Sequence, residues 1–202
     1  MNRALTVFLS SFLFCIGCGS ETGNSGSDMG SDSADIISQD VTLNCEERPA
    51  CDPGPGANCQ CADLSRTDLS GANLSGANFS GATFVDADLS GADMAGANLS
   101  DANLYDTDLR DSNLRFSNIS RADLSNANLE AADLLEALLV AANLTGANLS
   151  EVNLKDADLS GATLVDVIWY ETTCPDNTNS SNQSDLTCCD NLLGAEAASG
   201  CE

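Results

Sequence analysis

Cysteine and carboxylate are the side chains through which this sequence could do chemistry: it holds 10 Cys and 31 Asp plus Glu, against 7 Lys plus Arg and no His. Without imidazole, the commonest general base and the commonest neutral metal ligand are both missing, so no Ser/His/Asp or Cys/His pair can form. An acid-only site would need two carboxylates buried together with their pKa values pushed apart. The Asp and Glu here are instead spread at regular spacing along the chain. The expectation is a protein that is not an enzyme and holds no cofactor and no metal. A net charge of -24 also repels a phosphate backbone, which argues against direct nucleic-acid contact.

Eight of the cysteines fall into two groups of four, Cys45, Cys51, Cys59 and Cys61, then Cys174, Cys188, Cys189 and Cys201. Even numbers, in segments too short for a core of their own, read as disulfides in an exported chain. Two bonds at each end would staple a cap over 45–61 and another over 172–202, with Asp52-Pro-Gly-Pro-Gly56 as a turn inside the first. Zinc is the competing use of thiolates, but Cys59-Gln-Cys61 and Cys188-Cys189 lack finger spacing and there is no His to complete a site. A calcium loop over Asp176 to Thr187 fails as well, having no Gly at its sixth place and no final Glu.

The other two thiols lie near the start. Met1 to Arg3 carry charge, Ala4 to Ile16 are almost wholly apolar, and Gly17 and Cys18 end the hydrophobic stretch. That is the layout of a secretory signal, and the apolar run is shorter than the roughly 20 residues a membrane span needs. The segment Cys15-Ile16-Gly17-Cys18 resembles a bacterial lipoprotein signal, departing from it by Cys15 where that family usually has Leu. The resemblance implies removal of 1–17 and lipidation of Cys18. Ordinary cleavage with release, or an uncleaved signal anchor, are the alternatives. Residues 19 to 44 are rich in Ser, Gly and Asp and nearly free of large apolar side chains; such a composition cannot offset its ordering entropy, so 18–44 reads as a flexible tether. The expected address is a bacterial envelope, anchored through lipid, or otherwise the medium.

What the tether would hold is a tandem repeat. From Ala62 the pattern Ala, Asp or Asn, Leu, Ser, Gly recurs with a step of five, and its large apolar centres run from Leu64 to Trp169 through 22 repeats without a slip. Two places before every centre stands Ala, Ser, Thr or Val. Neither the 3.6 period of a helix nor the 2 of a strand puts these centres on one face. A coil that turns a corner every five residues does so, pointing one large and one small side chain inward per repeat and leaving three positions to water. Stacked coils are stabilised through their neighbours and need closed ends.

These residues resemble the pentapeptide-repeat family, which implies an all-β fold, a right-handed quadrilateral β-helix with four repeats per turn over 62–171, carrying the disulfide-rich caps at its ends. The segment Trp169-Tyr-Glu-Thr-Thr-Cys-Pro-Asp176 resembles the closing segment of such domains. The Asp/Asn column, including Asp63, Asn73, Asp88, Asn103, Asp123, Asn143 and Asp158, is expected to hydrogen-bond exposed turns; carboxylates and amides mix along it without evident order, which argues against a metal ladder. Sequons such as Asn73-Leu-Ser75 are by-products of the repeat. At twenty residues per coil Val85, Tyr105 and Val165 share an outward column, interrupted by Ser125 and Thr145, and Leu135, Leu138 and Val140 cluster elsewhere. Exposed apolar clusters mark interfaces, so these six are the candidate contact residues.

Two functions follow. One is a non-catalytic, envelope-tethered solenoid whose rigid acidic surface meets another envelope or extracellular protein, or acts as a spacer. The other rests on the resemblance: some acidic rods of the family imitate a DNA duplex and inhibit or protect a type II topoisomerase. The 18 acidic and 5 basic residues between 62 and 171 suit that in sign, while an exported address opposes it.

Overall fold

A chain that turns a corner every five residues needs a corner residue that tolerates the turn, and acceptors for backbone N–H groups that no neighbouring strand can reach. In the computed structural model, which describes residues 51–176, both needs are met by position within the repeat. Every fifth residue from Gly56 to Glu171 has a φ between 54° and 70°; eight of these corners are glycines and 16 are not. Each turn closes from one repeat to the next, as where the Ala102 N–H donates to the Leu99 carbonyl at 3.1 Å. Positive φ at the third turn residue is the type II signature.

Between coils, 20 isolated parallel bridges each join residues twenty apart, from Asn58 with Asn78 to Asn153 with Thr173. Four repeats therefore complete a coil, and residues 57–176 stack as six coils. Each repeat contributes one bridging residue, since the corners leave none for a longer strand. Four bridge columns result, here called faces one to four: face one begins at Asn58, face two at Asp63, face three at Asp68 and face four at Asn73.

The repeat Ala97 to Asp101 shows why its residue types are needed. Ala97 N–H closes the turn to the Met94 carbonyl at 3.0 Å, Asn98 N–H reaches back to Ala77 at 2.9 Å, and Leu99 and Asp101 N–H reach forward to Asn118 and Ser120 at 2.7 and 3.0 Å. Only the Ser100 N–H lacks a backbone acceptor, and the Asn98 side-chain oxygen takes it at 3.2 Å. Where an Asp or Asn stands before the centre, as in most repeats, it therefore completes the donor set, as an Asx turn does.

The core is a column of centres lined by small residues: Leu74, Phe79, Phe84, Met94, Ile119 and Leu124 are fully buried, as are Ala77, Ala127 and Ala147. Phe79 and Phe84 meet edge to face with ring centroids 5.2 Å apart, a contact worth about 0.5–1.5 kcal/mol beyond its burial. Among the described residues, centre residues lose cover only on the first and last coils, where Leu69 and Trp169 are partly buried.

The register runs past both ends of the 62–171 run. Cys59 and Cys174 take centre positions in phase and are 0% and 2% exposed, because a cysteine side chain packs as a small hydrophobe. Cys59 is bonded to Cys51, with the Cα atoms 5.2 Å apart, and Cys61 and Cys174 are also disulfide-bonded. Cys45, Cys188, Cys189 and Cys201 lie outside the described residues, as do the signal, Cys18 and the tether.

Candidate interaction surface

Outward side chains are positioned by two elements of the repeat, the bridging residue in the middle of a face and the corner with positive φ. Along the bridging positions the Asp and Asn oxygens accept the N–H two residues on, as for Ser65 on Asp63 and Ser125 on Asp123, both at 3.1 Å. The amides then reach along the rod: Asn98 donates to Asn78 at 3.1 Å, Asn113 to Asp93 at 2.9 Å and Asn153 to Asp133 at 2.9 Å. Folding at twenty residues also reveals an order that the linear sequence conceals, correcting the reading of a random mixture. Face four alternates Asn73, Asp93, Asn113, Asp133, Asn153, so an amide separates each carboxylate from the next. Face one runs Asn58, Asn78, Asn98, Asn118 and then Leu138 and Asp158.

Charge is divided between faces. Among the described residues there are 20 acidic and 5 basic side chains. Face three and its corners carry Asp68, Asp86, Asp88, Asp106, Asp108 and Asp111 on three successive coils, with Arg66 and Arg110. Arg110 forms an ion pair with Asp108, and Arg66 one with Asp86 at 3.3 Å. The Arg110 hydrogen bond holds the Asp108 carboxyl below its usual range, and the Ser70 hydroxyl and N–H do the same for Asp68. Face one, two repeats away, carries Asn at its bridging positions on the first four coils, Asn58, Asn78, Asn98 and Asn118, while Asp101, Arg121, Glu136 and Asp156 stand at its corners and Asp158 at its last bridging position.

The candidate contact residues of the sequence reading separate into two places. Val85 and Tyr105 sit on adjacent coils of one outward column, Tyr105 41% exposed, while Val165 stands three coils further on. Leu135, Leu138 and Val140 lie on one coil, with Leu138 46% exposed and the other two half-buried. Three residues escaped the sequence reading: Phe116, Ile168 and Tyr170, all more than half exposed. Phe116 occupies a corner, at φ 59°, next to Leu135 on the following coil, whose carbonyl its N–H meets at 2.9 Å. A Phe where the repeat places Gly or a small polar residue was the available signal. Ile168 and Tyr170 flank Trp169 on the last coil, and the Tyr170 hydroxyl is pushed up by its hydrogen bond to Glu171.

Among the described residues no group of three or more Cys, Asp or Glu converges as a metal site would require. Among the described residues the carboxylates lie along the faces and corners of the coil. What the surface provides is a face three that is acidic over three coils, an amide column on face one over four, and an apolar break where Phe116 and Leu138 interrupt the latter.

A profile of pentapeptide repeats matches eight copies over residues 57–96, 92–130 and 132–168, and the chain belongs to the pentapeptide-repeat family. Among solved structures it is similar to a pentapeptide-repeat protein of the Arabidopsis thaliana thylakoid lumen, at 30% identity over 52% of this chain and 69% of that one, with a TM-score of 0.42. A pentapeptide-repeat protein from the cyanobacterium Cyanothece 51142 matches at 30% identity over 54% and 84%, with a TM-score of 0.37. A plasmid-mediated fluoroquinolone resistance protein matches at 16% identity over 55% and 78%, with a TM-score of 0.35. These overlays carry no argument about function. Among curated protein sequences none matches significantly.

Proposed function

We propose that this protein is a non-catalytic solenoid tethered to a bacterial envelope through a lipid on Cys18, presenting a rigid surface for contact with another protein. Its coil is taken as the right-handed quadrilateral β-helix of its family, with disulfides closing both ends. The observation that carries this reading is the uneven surface: Asp68, Asp88 and Asp108 line face three, while Asn58, Asn78, Asn98 and Asn118 line face one with neutral amides on four successive coils. A spacer needs no such division. A surface that orients a partner does, since charged faces steer approach and repel wrong docking while a neutral face accepts contact. Supporting the address are the apolar run over Ala4 to Ile16, Cys18 directly after it, and the Ser/Gly/Asp leash that follows. The test is fractionation of the native organism's cells carrying either the wild-type chain or Cys18→Ala. The wild type is expected with the membranes and the variant in a soluble fraction outside the cytosol. Recovery of both in the cytosol would overturn the tether.

A second reading, imitation of DNA toward a type II topoisomerase, is favoured by charge density. A net 14 negative charges over the six coils of 57–176, each roughly 4.8 Å high, give one charge per about 2.1 Å, against about 1.7 Å for duplex DNA. The amide column of face one, neutral over four coils, counts against it, because a duplex presents phosphate on every side. Supercoiling assays with the purified chain separate the two: protection or inhibition of the topoisomerase supports mimicry, and no effect at a large molar excess excludes it.

A further inference from the structure

We infer that the last coil docks a basic segment of another protein, which sets an apolar side chain on Ile168 and Tyr170 and its Lys or Arg residues on the carboxylates around them; this rests on the proposed role as an interaction surface and names the kind of partner. Face three has two outward positions per coil, one on each side of the centre. On the first five coils both are polar or charged, from Asp68 and Ser70 to Asn148 and Ser150. On the sixth they are Ile168 and Tyr170, 55% and 53% exposed, with Val165 exposed round the corner at Asp166. Half of the exposed large hydrophobic residues among those described therefore fall within six positions of the chain. Lying on the last coil does not explain them, because the outward positions of every coil meet water. The change also forfeits a hydrogen bond. Asn148 accepts the Ser150 N–H at 3.1 Å, and Ile168 has no side-chain oxygen to do the same for Tyr170. Apolar residues that displace a stabilising device at exposed positions mark a contact.

Charge selects the occupant. The corners around the pair are Asp166, Glu171 and, one coil back, Glu151. Ion pairs among the described residues engage Asp86, Asp101, Asp108 and Asp133, so no cation matches these three carboxylates. Lys155, the one cation on the last two coils, stands on face four beyond Asn153. A rim of one sign repels any occupant of that sign. It argues against a nucleic acid and an anionic lipid surface. It argues equally against this chain itself: residues 177–202 carry four carboxylates and no cation, residues 19–44 carry five and none, and the coils of a second copy are net negative. A cationic polypeptide is the occupant that fits. Its apolar anchor packs on the Tyr170 ring and the Ile168 side chain, and Lys or Arg to either side reaches Asp166 and Glu171 at the two corners. The contact is small, so the complex belongs with weak associations and is weakened further by salt.

Trp169 is the one tryptophan of the chain and lies, partly buried, between Ile168 and Tyr170, so its emission reports on this coil alone. The probe is a synthetic peptide in which Lys flanks Leu and Phe, without tryptophan, titrated against the full chain. Binding is read by anisotropy of labelled peptide and by Trp169 emission with unlabelled peptide, at about 50 mM and about 300 mM salt. The wild type is expected to bind with a blue shift of Trp169, as the docked side chain excludes water, and to lose both at the higher salt. Ile168→Asn with Tyr170→Ser copies the Asn148 and Ser150 pair of the preceding coil and leaves net charge unchanged. This double variant is expected to bind at least about tenfold more weakly, with Tm equal to or above wild type. A wild type that does not bind, as it would not if residues 177–202 already cover the pair, overturns the proposal. So does binding that leaves Trp169 emission unchanged or persists in the double variant, which charge along face three would produce without the apolar pair. Fractionation of Cys18→Ala reads the tether alone, so that part of the proposed function stands or falls separately.

Discussion

A single residue decides how each corner turns, and most corners here are made by residues that turn reluctantly. Ala131 and Ala141 hold φ 59° and 56° without the side-chain polarity that eases left-handed backbone in Asn or Asp. Ala131→Gly and Ala141→Gly are each expected to stabilise the fold by about 0.5–1 kcal/mol, measured as a higher midpoint in urea. Titration also acts at this scale. Asp68 and Asp108 are held below their usual range by Ser70 and Arg110; a lowered carboxylate contributes stability that is fully present above its unfolded value and is lost as pH falls through its folded value. Asp68→Asn keeps the accepting oxygen without the proton, so it is expected to leave Tm at pH 7 nearly unchanged and to reduce the loss of Tm below the reference value of 3.8. Thermal melts at pH 7 and at about pH 3 check both halves.

At the scale of the coil, each turn is stabilised by the turns above and below it. Leu124 is fully buried in the middle of the stack, and Leu124→Ala is expected to cost about 2–5 kcal/mol, read by chemical denaturation. A cavity there removes contacts to the coils on either side at once. The coil was legible in sequence because its core repeats with the period of the chain: Leu64 through Trp169 are in phase, and the structure keeps that phase and extends it to Cys59 and Cys174. The surface was less legible. Alternation along face four joins residues twenty apart, as Asn113 with Asp93, and it disappears when read linearly. Phe116 was missed for the same reason, since its neighbours Leu135 and Leu138 belong to the next coil and its strain resides in a dihedral angle. Cys59 and Cys174, which looked separate from the repeat, fill its centre column, because column volume rather than residue class decides what packs there.

For the whole molecule, charge and the ends set the behaviour. With 20 acidic side chains against 5 basic ones over the described residues, self-repulsion opposes the compact state. Raising salt from about 20 mM to about 200 mM shortens the Debye length to below 10 Å and is expected to raise Tm by several degrees, as calorimetry would show; an unchanged Tm would mean that the ion pairs, such as Arg121 with Asp101, already balance the repulsion. The Cys51–Cys59 bond closes a short loop at the N-terminal end, and a loop of that length is worth about 2–3 kcal/mol in the chain-entropy account. In the proposed function this rod is tethered to a membrane through Cys18 and kept in an oxidising compartment where its thiols pair. The most direct test of that account is the intact mass of the native protein after alkylation without reduction. The account predicts a chain beginning at Cys18, carrying lipid, with all eight of its other cysteines unalkylated. A chain beginning at or near Met1 with those cysteines alkylated would contradict it, placing the rod in the cytosol, where imitation of DNA becomes the leading function.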